Sequence, residues 1–348
     1  MLAATGGSDR TEEAVRKALE WLRRHQHADG HWSSRDHGGE VDADAAMTGL
    51  ALLAFLGAGH THRDDGPYRA TIERGIAWLV ERQAYDGDLR GQLADGRPHP
   101  RADTMYGQTI ATVALCEAYA MTRDASLAPP ARRAIDFVLA KADAAQRGTA
   151  ATQDTAVIGW LVMTVESARR AGFDPPTRVF DGARRWLDDI SAAPSRGRYA
   201  YRRGDRPSPA MTAEAMFVQQ LLGRTADEPR MRESAAFIAD ALPAWSSDAP
   251  THHWYYATLA LFQHQGEPWV RWNDALTEAL LANQREDGPH AGSWDPQDRW
   301  SRAGGRVYQT AICALSLEVY YRYAVRDGST APNDRGSRGG GAREPAPE

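Results

Sequence analysis

"ALEWLRRHQHADGHW", residues 18–32, is the stretch that decides the fold. Ala18, Trp21 and Leu22 stand at i, i+3 and i+4, the spacing of an amphipathic helix. Gln26, two more residues and Asp29-Gly30 then punctuate it, and Trp32 follows. The same frame returns as "GIAWLVERQAYDGD" at 75–88 and "ALTEALLANQREDGPHAGSW" at 275–294. Weaker copies are "RRAIDFVLAKADAAQRG", "DGARRWLDDISAAPSRG" and "MRESAAFIADALPAW". A repeat on this scale is the signature of stacked supersecondary units.

A second, more apolar helix rich in small residues follows each copy. The six are "AAMTGLALLAFLGAG", "MYGQTIATVALCEAY", "QDTAVIGWLVMTVESA", "AMTAEAMFVQQLLG", "HHWYYATLALFQHQG" and "RVYQTAICALSLEVYY". Aligned on their apolar faces, Thr48, Thr109, Thr155, Thr212 and Thr310 share one position, which Tyr256 takes in the fifth copy. Two concentric rings with the apolar helices inside bury both sets. An open solenoid would carry atypical polar end repeats, whereas here the first and last copies hold the strongest motif. No β pattern competes. The expectation is an all-α protein, an α/α toroid (α6/α6 barrel) of six helical hairpins over residues 11–325. Residues 1–10 form an N-terminal tail, and the Gly/Pro-rich segment 326–348 reads as disordered.

Composition narrows the partners. The chain has 348 residues, with 41 basic and 46 acidic side chains mixed along it and a formal charge of −5. That pattern lacks the basic stripe of a nucleic-acid binder. No apolar run approaches the roughly 18–20 residues of a membrane span. The N-terminal stretch has no signal-peptide pattern, so the cytoplasm is the expected compartment. Cys116 and Cys313 sit inside apolar helices and read as buried thiols.

The Gln-x-x-Asp-Gly…Trp segments at Gln26–Trp32 and Gln284–Trp294 resemble the QW repeats of the prenyltransferase and squalene-cyclase superfamily. Gln83–Gly87 matches the Gln and Gly without the Trp. More narrowly, "MYGQTIATVALCEAYAMTRD", "HHWYYATLALF" and "GSWDPQDRWSRAGGRVYQTAICALSLEVYYRY" resemble bacterial single-toroid prenyltransferase/squalene-oxidase-repeat proteins. Physical chemistry gives the motif a structural job: Gln satisfies backbone groups at helix ends, and the Trp stacks on the neighbouring pair. Trp32 and Trp294 are expected to be ring clamps.

Two known chemistries are tested against the residues. A protonation-initiated cyclase resembling this superfamily carries Asp-x-Asp-Asp-Thr-Ala at the head of an inner helix. Here the stretch reads Ala151-Thr152-Gln153-Asp154-Thr155-Ala156, so the central donor position holds Gln153. Asp154 reads as a helix cap that also faces the interior, and with Glu214 it stands as the candidate acid. Zinc prenyltransferases need Asp, Cys and His ligands, but Gln309 occupies the His position and His252-His253-Trp254-Tyr255 supplies neither Asp nor Cys. No metal or cofactor is expected. His252 and His253, adjacent and so pointing about 100° apart, are expected to cap or lie on the surface.

If the inner helices run parallel, Tyr106, Gln108, Gln153, Asp154, Glu214, Trp254, Tyr255, Tyr256, Tyr308 and Gln309 converge at one mouth of the ring. An apolar cavity with a few polar groups is a small-molecule site, and the resemblance implies an isoprenoid-like ligand. The alternatives are a non-catalytic toroid holding a lipid, peptide or protein, and a polysaccharide-active toroid. The last would use Asp42, Asp44 and Asp103 as its acids.

Overall fold

The computed structural model describes residues 6–90, 105–146, 155–192 and 196–322. The outer helices are α1 (Asp9–Arg24), α3 (Arg69–Arg82), α5 (Ala128–Gln146), α7 (Arg178–Ile190), α9 (Pro229–Ala239) and α11 (Gly266–Leu281). They alternate with inner helices α2 (Asp44–Gly57), α4 (Met105–Thr122), α6 (Thr155–Arg170), α8 (Pro209–Leu221), α10 (Thr251–His264) and α12 (Arg299–Leu317). A short helix α13 (Val319–Arg322) follows. Strands β1 (Ser191–Ala192) and β2 (Arg198–Tyr199) pair antiparallel in a two-stranded hairpin beyond α7.

Local sequence explains where the helices start. Ser8 and Thr11 form a capping box at α1, the Thr11 amide on the Ser8 hydroxyl and the Ser8 amide on Thr11 Oγ1. Ser208 with Pro209 opens α8, and Asp298 accepts the Ser301 amide at 2.8 Å to open α12. Helix α12 is interrupted at Gly305, whose φ of 71° is not helical. Its inner-ring part therefore begins at Arg306, where the repeat pattern starts.

The ring is closed. Each inner helix packs on the next, α2 on α4 through to α10 on α12, and α12 returns to α2. An open solenoid is excluded. Helix α2 is buried continuously from Ala45 to Gly57 and α10 from Thr251 to Phe262, as a helix enclosed on all sides must be. Outer helices bury one face only: α1 buries Ala14, Ala18, Trp21 and Leu22 and turns its charged residues outward. Cys116 and Cys313 are buried, unbridged thiols, and burial pushes both thiols up.

The repeat motif is the device that joins neighbouring pairs. The Gln26 side-chain amide donates to Gly30 O at 2.7 Å and to Thr71 O in α3 at 2.8 Å. Gln83 reaches Pro130 O in α5 at 2.9 Å. Gln284 reaches Ala14 O in α1 at 2.8 Å and Gly292 O at 2.9 Å, so the last copy holds the first. Each Gln thus serves the next outer helix rather than the end of its own. Trp32 and Trp294 are fully buried and donate to Leu22 O and Leu280 O, each at 2.8 Å.

Gly30, Gly87 and Gly292, all at positive φ, press against the carbonyls of Arg74, Arg133 and Lys17, where a β-carbon would collide. Gly197 does the same to Arg230. The weaker copy at 181–197 thus continues into Arg198-Tyr199, with a fully buried tyrosine in the tryptophan's place.

Candidate functional site in the centre of the ring

Side chains from five inner helices meet on the ring axis. On α10, His252, Tyr255 and Tyr256 stand at i, i+3 and i+4, so one helical face presents all three. The His252 ring lies 5.3 Å from the Tyr256 ring, and Tyr255 also lies 5.3 Å from Tyr256. Trp160 of α6 meets Tyr256 edge-on at 6.2 Å. From α12, the Tyr308 hydroxyl is 2.8 Å from His252 Nδ1. Trp300, at the start of α12, bridges His252 at 5.0 Å and Tyr106 of α4 at 5.3 Å.

The acid in this cluster is Glu214 of α8. It is 0 % exposed, and its carboxylate lies over Gly159 of α6, where a β-carbon would come within 2.5 Å of Oε1. The glycine makes the room that the carboxylate occupies. Glu214, Tyr255, Tyr106 and Tyr308 all act electrostatically on Tyr256. Burial first, and then the neighbouring Glu214 carboxyl, holds the Tyr256 phenol well above the ordinary tyrosine value. Tyr308 is raised in the same way by burial and then by Asp298. Tyr255 and Tyr256 are 1 % exposed, whereas Tyr106 and Trp300 are only half-buried and stand between the cluster and the outside.

Of the residues singled out by sequence, Tyr106, Glu214, Tyr255, Tyr256 and Tyr308 come together here. Gln108 does not join them: its Oε1 accepts the Leu89 amide at 2.6 Å and its amide donates to Gly87 O, fixing the loop before α4. Gln309 accepts from Thr251 Oγ1 at 3.2 Å and donates to Cys313 Sγ. Trp254 turns to the ring's rim and meets Trp245 at 6.0 Å. Gln153 and Asp154 lie outside the described residues; Thr155 beside them anchors the head of α6 through Ala200 O at 2.8 Å. Asp42 pairs with Arg35 at 2.8 Å, and Asp44 accepts the Ser34 amide at 3.2 Å. Asp103 is also outside the described residues.

His252 and His253 correct the surface expectation. Both are buried, because α10 is enclosed on every side. Desolvation lowers both imidazoles, His253 to about 3. His252, Trp300, Trp160 and Gly159 were not picked out by sequence as site residues. The signal for His252 was its i, i+4 relation to Tyr256.

A shallow apolar depression of about 360 Å³ lies off the cluster, lined by Pro209, Leu242, Pro250, His253 and Trp254 among others. It sits on the rim between the starts of α8 and α10.

Comparison with known proteins follows the same lines. Residues 1–124 match the family model of the squalene-hopene cyclase C-terminal domain. A squalene–hopene cyclase of Zymomonas mobilis is 28 % identical over 96 residues, which is 25 % of this chain and 14 % of that enzyme. The chain thus spans a small part of this curated relative's length. Among solved structures, the type II terpene cyclase MstE from Scytonema, in complex with geranylgeranyl dihydroxybenzoate, superposes with a TM-score of 0.55 at 14 % identity. That superposition covers 92 % of this chain and 99 % of that one. The cellobiose 2-epimerase of Bacillus thermoamylovorans reaches 0.61 at 12 % identity, covering 88 % and 98 %. An α-1,6-mannanase of Salegentibacter sp. in complex with α-1,6-mannotetrose reaches 0.58 at 11 %, covering 90 % and 99 %. At such identities these structures show the fold alone. The repeat motif, the closed α/α toroid and the sequence match over residues 1–124 support a likeness to the squalene-cyclase/prenyltransferase-like superfamily.

Proposed function

We propose that the toroid binds an isoprenoid-like hydrocarbon in its centre and isomerises it by protonation at Glu214. The observation that carries this reading is a fully buried carboxyl among four tyrosines, on a glycine shaped to receive it. A cyclase of this kind needs a carboxylic acid beside an alkene and aromatic faces along the path of the cation. The Glu214 carboxyl hydrogen would pass to one alkene carbon, leaving a tertiary cation on the other. The rings of Tyr106, Tyr255, Tyr256 and Tyr308 then attract the moving charge, exclusion of water keeps it from early capture, and loss of a proton from the final cation back to the Glu214 carboxylate completes the isomerisation. Glu214 takes the donor's part because the stretch that would hold the acid in related cyclases carries Gln153. Asp154, next to Thr155 in the sequence, remains a second candidate acid.

The test incubates purified protein with squalene and a panel of polyprenyl diphosphates, then analyses products and retained lipid by gas chromatography with mass spectrometry. A cyclised product formed by the wild type and lost in folded Glu214→Gln supports the reading. Product that persists in Glu214→Gln and disappears in Asp154→Asn moves the acid to Asp154. Retained but unchanged isoprenoid makes the protein a carrier. Neither product nor lipid rejects the isoprenoid reading and favours carbohydrate chemistry like that of two structural neighbours.

A further inference from the structure

The loop between α1 and α2 repeats a scaffold seen in the next pair, but with different donors. In both loops an aspartate accepts the amide two residues on, His31 N to Asp29 and Asp88 N to Asp86, around a positive-φ glycine. The flanking positions are Ala84 and Asp88 in the second copy and Arg285 in the last. Only in the first copy do the residues on either side of the Asp-Gly turn supply imidazoles, His27 and His31. The turn needs Asp29; it does not need the histidines.

Those imidazoles converge. The Nδ1 atoms of His27 and His31 both face Asp29 Oδ1, His27 at 3.2 Å and His31 in a closer hydrogen bond. The two rings lie 4.6 Å apart, and one donor atom from each of the three residues falls within 4.8 Å of the others. A tetrahedral zinc ion with Zn–N and Zn–O bonds near 2.1 Å needs donors about 3.4 Å apart, so small side-chain rotations suffice. His31 is already oriented. It stacks on Trp78 of α3 at 5.1 Å, and its Nε2 lies 3.7 Å from Asp44 Oδ2 at the head of α2. Nδ1 coordination leaves the imidazole hydrogen on Nε2, facing that carboxylate. A carboxylate behind a ligating histidine is the arrangement that fixes ring orientation and tautomer at metal centres.

We propose that His27, Asp29 and His31 form a binding site for a borderline divalent transition ion, zinc in the first instance, with Asp44 supporting His31 from behind. Two imidazoles and one carboxylate suit zinc, cobalt or nickel and not the oxygen-seeking calcium or magnesium. The remaining coordination position faces solvent, because His27 and Asp29 are exposed. A bound ion would tie the α1–α2 loop to the mouth of the ring. The proposal is independent of the reaction assigned to the centre.

Calorimetric titration of the tag-free full chain with zinc chloride tests it, with cobalt absorption as the spectroscopic check. One equivalent bound is expected, with cobalt bands of low-coordinate geometry and a thermal midpoint that rises with zinc concentration. Because His27 is exposed, His27→Ala leaves the fold intact and should weaken binding at least about tenfold; Asp44→Asn should weaken it by about tenfold. Absence of zinc uptake overturns the proposal. So does uptake unchanged in the His27→Ala/His31→Ala double variant, which would place the ion at other histidines.

Discussion

The Glu214 carboxylate on α8 rests against the α-carbon of Gly159 on α6, so closely that a β-carbon there would lie 2.5 Å from Oε1 and 3.0 Å from Cγ. Two inner helices meet at this point with a charge-bearing group between them. The acid's position is therefore set by the absence of a side chain on its neighbour.

Gly159→Ala separates position from chemistry. Alanine favours the helix over glycine by up to about 1 kcal/mol, while overpacking a dense core costs about 1–3 kcal/mol. The net loss of stability should be small, a shift of a few degrees in Tm. The carboxyl must move, since Glu214 is fully buried and has no solvent side to retreat into. Turnover of any product that Glu214 generates should fall at least about tenfold, the yield of a catalytic group displaced by about 1 Å. Steady-state rates set beside the melting curve decide between these effects, and an unchanged rate would detach Glu214 from the chemistry.

Ring closure makes its own prediction. Gln284 ties the last repeat to the first through Ala14 O at 2.8 Å and braces its own loop through Gly292 O. Loss of both bonds in Gln284→Ala should cost about 1–3 kcal/mol, because two carbonyls in a half-buried seam lose their donor. Urea unfolding measures it. Gln83→Ala, which removes one such carbonyl bond together with the hydrogen bond that Arg133 donates to Gln83 Oε1, leaves only one carbonyl without its donor and should cost less. Equal midpoints for the two variants would mean that closure contributes nothing beyond an ordinary repeat contact.

The difference between motif and site explains what the sequence disclosed. The ring was legible because each Gln, positive-φ Gly and Trp does the same job in successive copies, and repetition is visible in one chain. Even so, Tyr199 in the tryptophan's place made the copy at 181–197 look weak, and the break at Gly305 had no mark other than two adjacent glycines. The centre was only half legible. Tyr255, Tyr256 and Tyr308 announced themselves as aromatics at inner-helix starts, whereas Gln108 and Gln309 stood at the same places and serve loops and neighbours. Which way a polar residue turns on a helix enclosed on all sides depends on its partners across the ring, and helical periodicity does not carry that information. His252 and His253 show the cost of judging a residue by type: polar rings in an all-buried helix take the burial of the helix.

The two thiols give a clean accessibility test. Cys116 and Cys313 are buried, and desolvation raises both above the ordinary thiol value. Because the thiolate is the reacting species, a disulfide reagent at pH 8 should leave both untouched in the folded protein. Two equivalents should react after denaturation. Fast reaction of one thiol without denaturant would reveal that α4 or α12 opens locally.

His253 should make the fold sensitive to acid. It is neutral in the folded chain, with burial lowering it to about 3 from an unfolded value near 6.5, and its ring packs edge-on to Trp272 at 5.7 Å. Below pH 6.5 the unfolded chain binds a proton there that the folded chain does not, so stability falls as pH falls through the window from about 6.5 to 3. The slope approaches about 1.4 kcal/mol per pH unit for one such group, or roughly 2 kcal/mol lost by pH 5. His252, lowered in the same direction, adds to the loss. His253→Phe keeps an aromatic ring against Trp272 and removes the titration. Its urea midpoint should therefore change less between pH 7 and pH 5 than that of the wild type. Parallel pH profiles for the two proteins would assign the acid sensitivity to other groups.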